Sequence, residues 1–244
     1  MSAFEVDDRV GDIVVRRPAL SRAFERAGID YCCGGRKTLD EACREKGLDS
    51  KAFAAELERA ISPGGEEAVV DVAAMSLSEL VDHLERTHHV YLRSEFSRLD
   101  GMSQKVVSVH GEKDSRLQQV REVFLGLADE LTGHMQKEEQ ILFPMVRQLE
   151  ASKNAPVFHC GTLANPIQRM QFEHDETGSA LEKLRELTDG YTPPEWACGT
   201  YRGLLDGLAH LEWDTHQHIH KENNVLFPRA LDMEARKSPE PRGA

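Results

Sequence analysis

The stretch HMQKEEQILFP at residues 134–144 recurs, imperfectly, as HIHKENNVLFP at residues 218–228. Each copy places a histidine four residues before a glutamate, so the two side chains lie on the same side of a helix. Two such pairs, on two helices, can bring two imidazoles and two carboxylates to one buried place. This donor set predicts a site for two metal ions with bridging carboxylates, inside a helix bundle.

Apolar residues at helical spacing dominate the chain after residue 75. The four long helical patterns run from about 76 to 99, 115 to 150, 166 to 188 and 194 to 231. No comparable alternation typical of strands is present. The sequence therefore predicts an all-α protein whose larger part is a four-helix bundle.

The residues before the bundle form a separate pattern of short helices around a glycine-rich turn, YCCGG at 31–35. The following stretch SPGGEE has the composition of a linker. We expect a small helical domain at 1–61, a linker at 62–74, the bundle at 75–234 and a flexible tail at 235–244.

Several polar residues occupy positions where the apolar stripes of the helices would place leucine. The stripe of the second helix continues through His134 and Glu138, and that of the fourth through His218 and Glu222. His174 lies on the stripe of the third helix. A buried carboxylate without a partner costs several kcal/mol or becomes neutral. These positions therefore favour a cation at the bundle axis over an ordinary core.

The first helix offers three histidines, and the spacing does not choose between two of them. His88 continues one apolar stripe and His89 another, while His83 has no assigned role. Mixed imidazole and carboxylate ligands suit iron, manganese or zinc. Histidines outnumber carboxylates, and the pairs are four residues apart rather than three as in ferritin-like sites. This balance is typical of hemerythrin-like centres.

The composition excludes several functional classes. The 244 residues carry a formal net charge of −12 and no Lys/Arg stripe, which argues against nucleic-acid binding. No apolar run approaches the roughly 18 residues of a membrane span, and the acidic start of the chain lacks a signal-peptide core. The five cysteines are an odd number, which argues against a disulfide framework. We expect a cytoplasmic protein, with Cys43, Cys160 and Cys198 buried or half-buried.

The YCCGG turn, the two histidine–glutamate segments ending in LFP and the stretch EHDE at 173–176 together resemble the RIC (repair of iron centres) proteins. These are di-iron proteins of bacteria that face nitrosative and oxidative stress. The resemblance covers nearly the whole chain in order. It implies a hemerythrin-like bundle with two Fe ions, oxo- or hydroxo-bridged, and a homodimer. The implied function is repair of damaged or apo iron–sulfur proteins by iron donation.

The family has six protein ligands, one histidine from each of four helices and two bridging glutamates. Carried onto this sequence, they are His89, His134, Glu138, His174, His218 and Glu222. His89 is chosen over His88 because it precedes Arg93 by four residues, as the family's ligand precedes an arginine. His110, in the loop expected after the first helix, has a counterpart in relatives and is a candidate additional ligand.

Three further residues are candidate functional groups, although no catalytic residue is certain. Cys32 and Cys33 are adjacent and cannot easily form a relaxed disulfide. On an exposed turn near a helix N-terminus, both could be thiolates that accept iron or nitric oxide. A structural role with one thiol buried is the alternative. Glu173 could line a polar route for water or leaving iron, or be an exposed helix residue.

Three functions remain compatible with these residues. An iron donor is favoured over a classical enzyme. The alternatives are reduction of nitric oxide to nitrous oxide at the di-iron pair, and a sensor or carrier of nitric oxide or oxygen. Hemerythrin carriers have another histidine four residues after a ligand, but here that position is Gly178. This argues against oxygen carriage unless His110 substitutes.

Overall fold

The computed structural model describes residues 4–60 and 71–238, and this part of the chain contains no β-strand beyond two isolated bridges. Its α-helices are α1 (Val10–Arg16), α2 (Ser21–Arg26), α3 (Leu39–Glu45), α4 (Ser50–Ala60), α5 (Leu77–Leu84), α6 (Val90–His110), α7 (Arg116–Lys137), α8 (Phe143–Ala151), α9 (Ala164–Leu187), α10 (Gly199–Lys221) and α11 (Phe227–Lys237). The predicted all-α fold is confirmed. No helix in the described ranges is both long and apolar enough to cross a membrane.

The last seven helices form the four rods of a bundle. Rod 1 is α5 with α6, rod 2 is α7 with α8, rod 3 is α9 and rod 4 is α10 with α11. Rod 2 packs against rods 1 and 3, and rod 1 also packs against rod 4. The prediction of a four-helix bundle is therefore correct.

Three of the rods are interrupted by five-residue π-helical segments, at Glu85–His89, Glu138–Leu142 and Glu222–Leu226. Pro144 and Pro228 follow the second and third segments. Because proline has no N–H and its ring crowds the carbonyl four residues earlier, regular α-helical bonding cannot pass through these points. The π turns, which are frequent at functional sites, all coincide with predicted metal ligands.

The first rod is longer than the sequence predicts. Its helical pattern was expected to end near residue 99, but α6 continues to His110. Residues 100–110 include a glycine and three valines, which have low helix propensity. Val106 is only 1 % exposed, so burial in the bundle overrides that local preference.

Two apolar clusters fill the bundle, and every rod contributes to both. One contains Leu80, Phe143 and Phe227, and the other contains Leu99 and Phe124. Along each rod, the predicted ligands lie between the stretches that supply the two clusters. The bundle is therefore apolar at both ends and polar at its centre.

The first four helices enclose their own apolar cluster, which includes Ile13, Phe24 and Leu57. A capping box opens α3, because the side chains of Thr38 and Glu41 each accept a hydrogen bond from the other's backbone N–H. Helix α4 ends at Ala60, and most of the predicted linker lies outside the described residues. The predicted tail at 235–244 overlaps the end of α11 by three residues, and its last six residues are outside the described range.

Candidate metal centre

Six polar side chains meet at the middle of the bundle, and none is more than 3 % exposed. They come from all four rods, at or next to the π segments of three of them. They are His89, His134, Glu138, His174, His218 and Glu222. The structure thus brings together the six residues that the sequence selects.

The cluster has two halves, and both glutamates belong to each. In the first half, the Nε2 atoms of His89 and His218 are 3.2 Å apart. In the second half, the Nε2 atoms of His134 and His174 are 3.1 Å apart. All four imidazoles therefore direct the same ring nitrogen towards the centre.

Each glutamate offers one oxygen to each half. Glu138 places Oε1 3.2 Å from Nε2 of His134, and Oε2 3.4 Å from Nε2 of His89. Glu222 divides its oxygens between the other two histidines, at 3.2 and 3.1 Å. Both carboxylates can therefore bridge two ions that lie one in each half.

The donor set fits a pair of metal ions. All four oxygens of Glu138 and Glu222 are buried without a hydrogen-bond partner, which is costly in the absence of a cation. Ligand atoms at right angles around an ion, with bonds of about 2.1 Å, are about 3 Å apart. The observed nitrogen–oxygen separations are close to that spacing. Imidazole with carboxylate suits iron, manganese or zinc.

The charges of the centre are coupled. Burial raises the pKa of Glu222, but His218 and His174 outweigh this effect and hold it well below the ordinary value. The pKa of Glu138 is also lowered, since His134 overcomes both burial and the repulsion from Glu222. The two carboxylates therefore stay ionised next to each other because histidines face both of them, and bound cations would stabilise the same negative charges.

Three of the four histidines have a hydrogen-bond partner at the outer ring nitrogen, Nδ1. Such a partner places the proton on Nδ1, orients the ring and leaves Nε2 free for a metal. The pairs are His89 with Glu139 at 2.7 Å, His134 with Glu173 at 2.8 Å and His174 with Asn223 at 3.0 Å. The Nδ1 atom of His218 is buried without a partner.

Glu173 is a buried partner of His134, so the alternative of an exposed helix residue is wrong. Its side chain also bonds Lys137 and, at 2.7 Å, Arg169. These donors, His134 first, lower the pKa of Glu173 to about 2. The carboxylate is therefore a fixed anion that acts on the centre through His134.

Glu139 and Asn223 are partners of the centre that the sequence patterns did not indicate. Each directly follows a glutamate of the cluster, and that adjacency is the sequence signal that could have indicated them. Arg93, which served to choose His89, donates to both oxygens of Glu139 at 2.8 Å. Arg93 is thus linked to His89 through the carboxylate of Glu139. This shared partner explains physically why the histidine and the arginine occur four residues apart.

His88 and His110 lie elsewhere. His88 is buried, but its ring nitrogens contact Asp214 and Lys221 instead of the cluster. His110 is the last residue of α6, not a loop residue, and its Nε2 is 3.2 Å from Sγ of Cys198. At 1.5 Å per residue, it is about 30 Å along the rod from the ligand on that rod. The candidate ligand His110 is therefore a wrong prediction.

The double-cysteine turn lies directly on the metal centre. Sγ of Cys33 is 3.6 Å from the backbone carbonyl oxygen of His174. Asn224 donates to the carbonyl of Cys32 at 3.1 Å, and Asp30 accepts the N–H of both cysteines at 2.9 Å. The sulfur atoms are 4.0 Å apart, so both thiols are free. The double-cysteine turn therefore packs against α9, the helix that carries His174.

Only one of the two thiols is accessible, which corrects the expectation of an exposed thiolate pair. Cys32 is 5 % exposed, whereas Cys33 is half-buried. A hydrogen bond with Cys33, burial and the charge of Asp30 raise the pKa of Cys32 well above its ordinary value. Cys32 therefore keeps its proton, and Cys33 is the thiol that can react.

A cavity of about 420 Å³ opens beside the turn. Its walls include both thiols, Asp30, and Asp175 and Glu182 of α9. Ligand atoms of Asp30, Cys32 and Cys33 lie within 4.8 Å of one another, close enough to bind one cation. The cavity therefore combines soft sulfur and hard oxygen donors next to the histidine–glutamate centre.

The bundle and its centre are those of the hemerythrin HHE cation-binding proteins, whose family model matches residues 80–230. A second model, a domain of unknown function (DUF542), matches residues 6–61. The chain is also 37 % identical, over 225 residues, to the iron–sulfur cluster repair protein YtfE of Enterobacter sp. (strain 638) and of Escherichia coli O157:H7. These matches cover 92 % of this chain and 97 % of each relative. The chain belongs to the family of these iron–sulfur cluster repair proteins.

Proposed function

We propose that this protein repairs damaged iron–sulfur clusters by donating iron from its own di-iron centre. One observation carries the proposal: a buried centre suited to two ions contacts a turn that holds a reachable thiol. The contact is the 3.6 Å approach of Cys33 Sγ to the carbonyl oxygen of His174. The name of the relatives, iron–sulfur cluster repair protein, supports the choice of recipient.

The six clustered side chains are the proposed iron ligands. His89 and His218 would hold one ion, and His134 and His174 would hold the other. Glu138 and Glu222 would contribute oxygens to both. Bound ions would supply a store of releasable iron, and the chain supplies four imidazoles, three of which are oriented through their outer nitrogens.

Iron is also the cargo, and its proposed exit is the half nearer to the cysteines. His174 is tied there through Asn223, whose amide group also reaches the carbonyl of Cys32 at 3.5 Å. Iron that leaves this half would next meet Cys33 and Asp30 at the cavity wall. Thiolate sulfur binds iron well, and binding displaces the thiol proton.

The direct test is transfer to an apo iron–sulfur protein. The iron-loaded protein is mixed with the apo protein and a sulfide source, and cluster formation is followed by absorbance. Recovery above that given by the same amount of free iron is expected. A His134→Ala/Glu138→Ala variant should give none of the excess. Equal recovery with this variant or with free iron would contradict the proposal.

Cys33→Ser tests the exit separately. This variant should bind the same amount of iron, because Cys33 lies outside the six-residue centre, and it should transfer that iron more slowly. Cys160→Ser is the matched control, since Cys160 is also half-buried but lies near Met145, away from the turn. Unchanged iron transfer by Cys33→Ser would contradict an exit route through Cys33, but it would not contradict iron donation itself.

Several finer expectations belong to the same proposal. The bridge between the irons can be measured by Mössbauer spectroscopy, and the homodimer by sedimentation. A reducing compartment such as the cytoplasm fits the five free cysteines. A role in nitrosative or oxidative stress is part of the proposal through the resemblance to the RIC proteins. Within the described ranges, no feature favours nitric oxide reduction or gas carriage over repair.

A further inference from the structure

The fourth histidine of the centre lacks the outer partner that the other three have. Nε2 of His218 faces inward, 3.2 Å from Oε1 of Glu222 and 3.2 Å from Nε2 of His89. A neutral imidazole that offers Nε2 to a metal must carry its proton on Nδ1. That N–H is buried with no acceptor, a cost of about 1–3 kcal/mol.

An acceptor without a donor lies one helical turn earlier. Asp214 precedes His218 by four residues on α10, so both side chains lie on the same side of the helix. Oδ2 of Asp214 is buried without a hydrogen-bond partner, and the side chain is 13 % exposed. A buried donor and a buried acceptor, each unpaired, are thus neighbours on one helix face.

The other oxygen of Asp214 is held in a network. Lys221 Nζ lies 2.7 Å from Nε2 of His88 and 3.1 Å from Nε2 of His83. Since an ammonium group can only donate, Nε2 of His88 accepts, and the proton of His88 is on Nδ1. Nδ1 of His88 therefore donates to Oδ1 of Asp214, at 2.9 Å. Oδ2 remains free.

The same network holds His218 from the side. The rings of His88 and His218 are stacked, with centroids 5.4 Å apart and an interplanar angle of 19°. His88 thus contacts both the carboxylate of Asp214 and the imidazole of His218. These contacts account for the buried His88 and the half-buried Lys221, which neither bind the proposed metals nor belong to an apolar cluster.

We infer that Asp214 is the positioning residue of His218, and that its Oδ2 accepts the Nδ1 proton when a metal ion is bound at Nε2. His88 and Lys221 hold Asp214 for this contact. The inference rests on the proposed metal centre. It gives all four ligand histidines an outer hydrogen bond.

The test uses zinc as a diamagnetic probe on the full chain. Zinc content and affinity are measured by chelator competition, and histidine Nδ1–H groups by long-range proton–nitrogen NMR. The wild type should bind two zinc ions and have four protected ligand Nδ1–H signals. Asp214→Ala should lose the signal of His218 and bind zinc about 10–100-fold more weakly.

Two further variants separate positioning from folding. Asp214→Leu fills the space without an acceptor, so it should behave like Asp214→Ala even if the smaller residue disturbs packing. Asp214→Asn retains an acceptor oxygen and should restore the His218 signal. Asp206→Ala is the control, because Asp206 is on the same helix with a side chain that is 75 % exposed.

The possible failures are distinguishable. Wild-type affinity and four signals in both Asp214→Ala and Asp214→Leu would overturn the role of Asp214 and leave the metal centre intact. Fewer than two zinc ions in the wild type would overturn the metal centre and this inference together. Equal weakening by Asp206→Ala would also overturn the inference, since a general loss of helix stability would then explain the effect.

Discussion

The residues beside the ligands decide how firmly the ligands are held. Glu139 accepts from Nδ1 of His89 at 2.7 Å and is itself held by Arg93. This chain of bonds extends from a half-exposed arginine to a fully buried imidazole. Because a carboxylate behind a histidine makes it a better donor and fixes its orientation, the outer residues influence metal affinity without touching the metal.

Replacing Glu139 should therefore weaken metal binding while both halves of the centre keep their ligands. We expect Glu139→Ala to lower zinc or iron affinity about 10–100-fold, as measured by chelator competition. The control is Glu130→Ala, because Glu130 is exposed on the same rod. An unchanged affinity in Glu139→Ala would mean that packing alone orients His89.

Cys198 should be the most reactive thiol near neutral pH. It was expected to be buried or half-buried, but it is exposed at the N-terminal cap of α10. The hydrogen bond with His110 and the backbone N–H groups of Tyr201 and Thr200 lower its pKa to about 7. The thiolate is the nucleophile, so its alkylation rate should rise through pH 7 and level off above it.

Peptide mass spectrometry after brief iodoacetamide treatment measures this profile for each cysteine. At pH 7, Cys198 should react more than about tenfold faster than a thiol of ordinary pKa. His110→Ala should move the rise to higher pH, because the hydrogen bond with His110 is the largest contribution to the lowered pKa of Cys198. A profile that does not move in His110→Ala would contradict the assigned cause.

Among the elements, the double-cysteine turn depends on close contact between backbones. A Cβ on Gly35 would lie 2.7 Å from the carbonyl oxygen of Tyr31 and 2.5 Å from Oδ1 of Asn224. The carbonyl belongs to the turn itself and cannot yield as a flexible side chain can. Glycine is therefore required where the turn rests on the π segment of rod 4.

Gly35→Ala should loosen this turn. We expect a loss of about 1–3 kcal/mol in the free energy of unfolding, measured by denaturant titration, and faster alkylation of Cys33. Gly126→Ala, inside α7, is the opposite case, since a Cβ there meets no atom within 4 Å. It should stabilise the protein by up to about 1 kcal/mol. Equal effects of the two changes would contradict the close-contact explanation.

The rods and five of the six clustered residues could be predicted from sequence because they depend on periodicity, whereas His89 was chosen over His88 through the family resemblance. His134 and Glu138 interrupt an apolar stripe, and that interruption is visible without coordinates. The π segments were not foreseen, since a widened turn changes hydrogen bonding without changing which residues are apolar. The outer partners of the ligands were also missed, because those contacts cross between rods. Glu139 and His89, for example, are fifty positions apart in the chain.

The burial of single side chains was the least predictable feature. Cys32 and Cys198 were given the wrong exposure. Cys32 lies in the turn that was expected, whereas Cys198 precedes a helix that begins at Gly199 rather than near residue 194. Exposure depends on what packs over a residue. For Cys32 that is the bundle itself, which begins more than forty positions later in the chain.

In the whole molecule, a charged centre separates two apolar clusters of the same bundle. The six clustered residues are buried with no more than 3 % exposure, so their desolvation opposes folding. The apolar clusters on either side must offset this cost in the metal-free protein. A bound cation pair would instead turn the same residues into a net source of stability, because metals bind the folded chain and not the unfolded one.

Metal loading should therefore raise the melting temperature. An ion at about 100 times its dissociation constant stabilises a folded protein by about 2.7 kcal/mol. For a domain of this size that corresponds to a shift of roughly 5–10 °C, measurable by calorimetry on chelated and zinc-reloaded protein. The His134→Ala/Glu138→Ala variant should melt at the same temperature with and without zinc, because each half of the centre loses a shared carboxylate and one half also loses an imidazole. A wild type that does not respond to zinc, or a variant that responds equally, would mean that the buried charges are held by their own ion pairs alone.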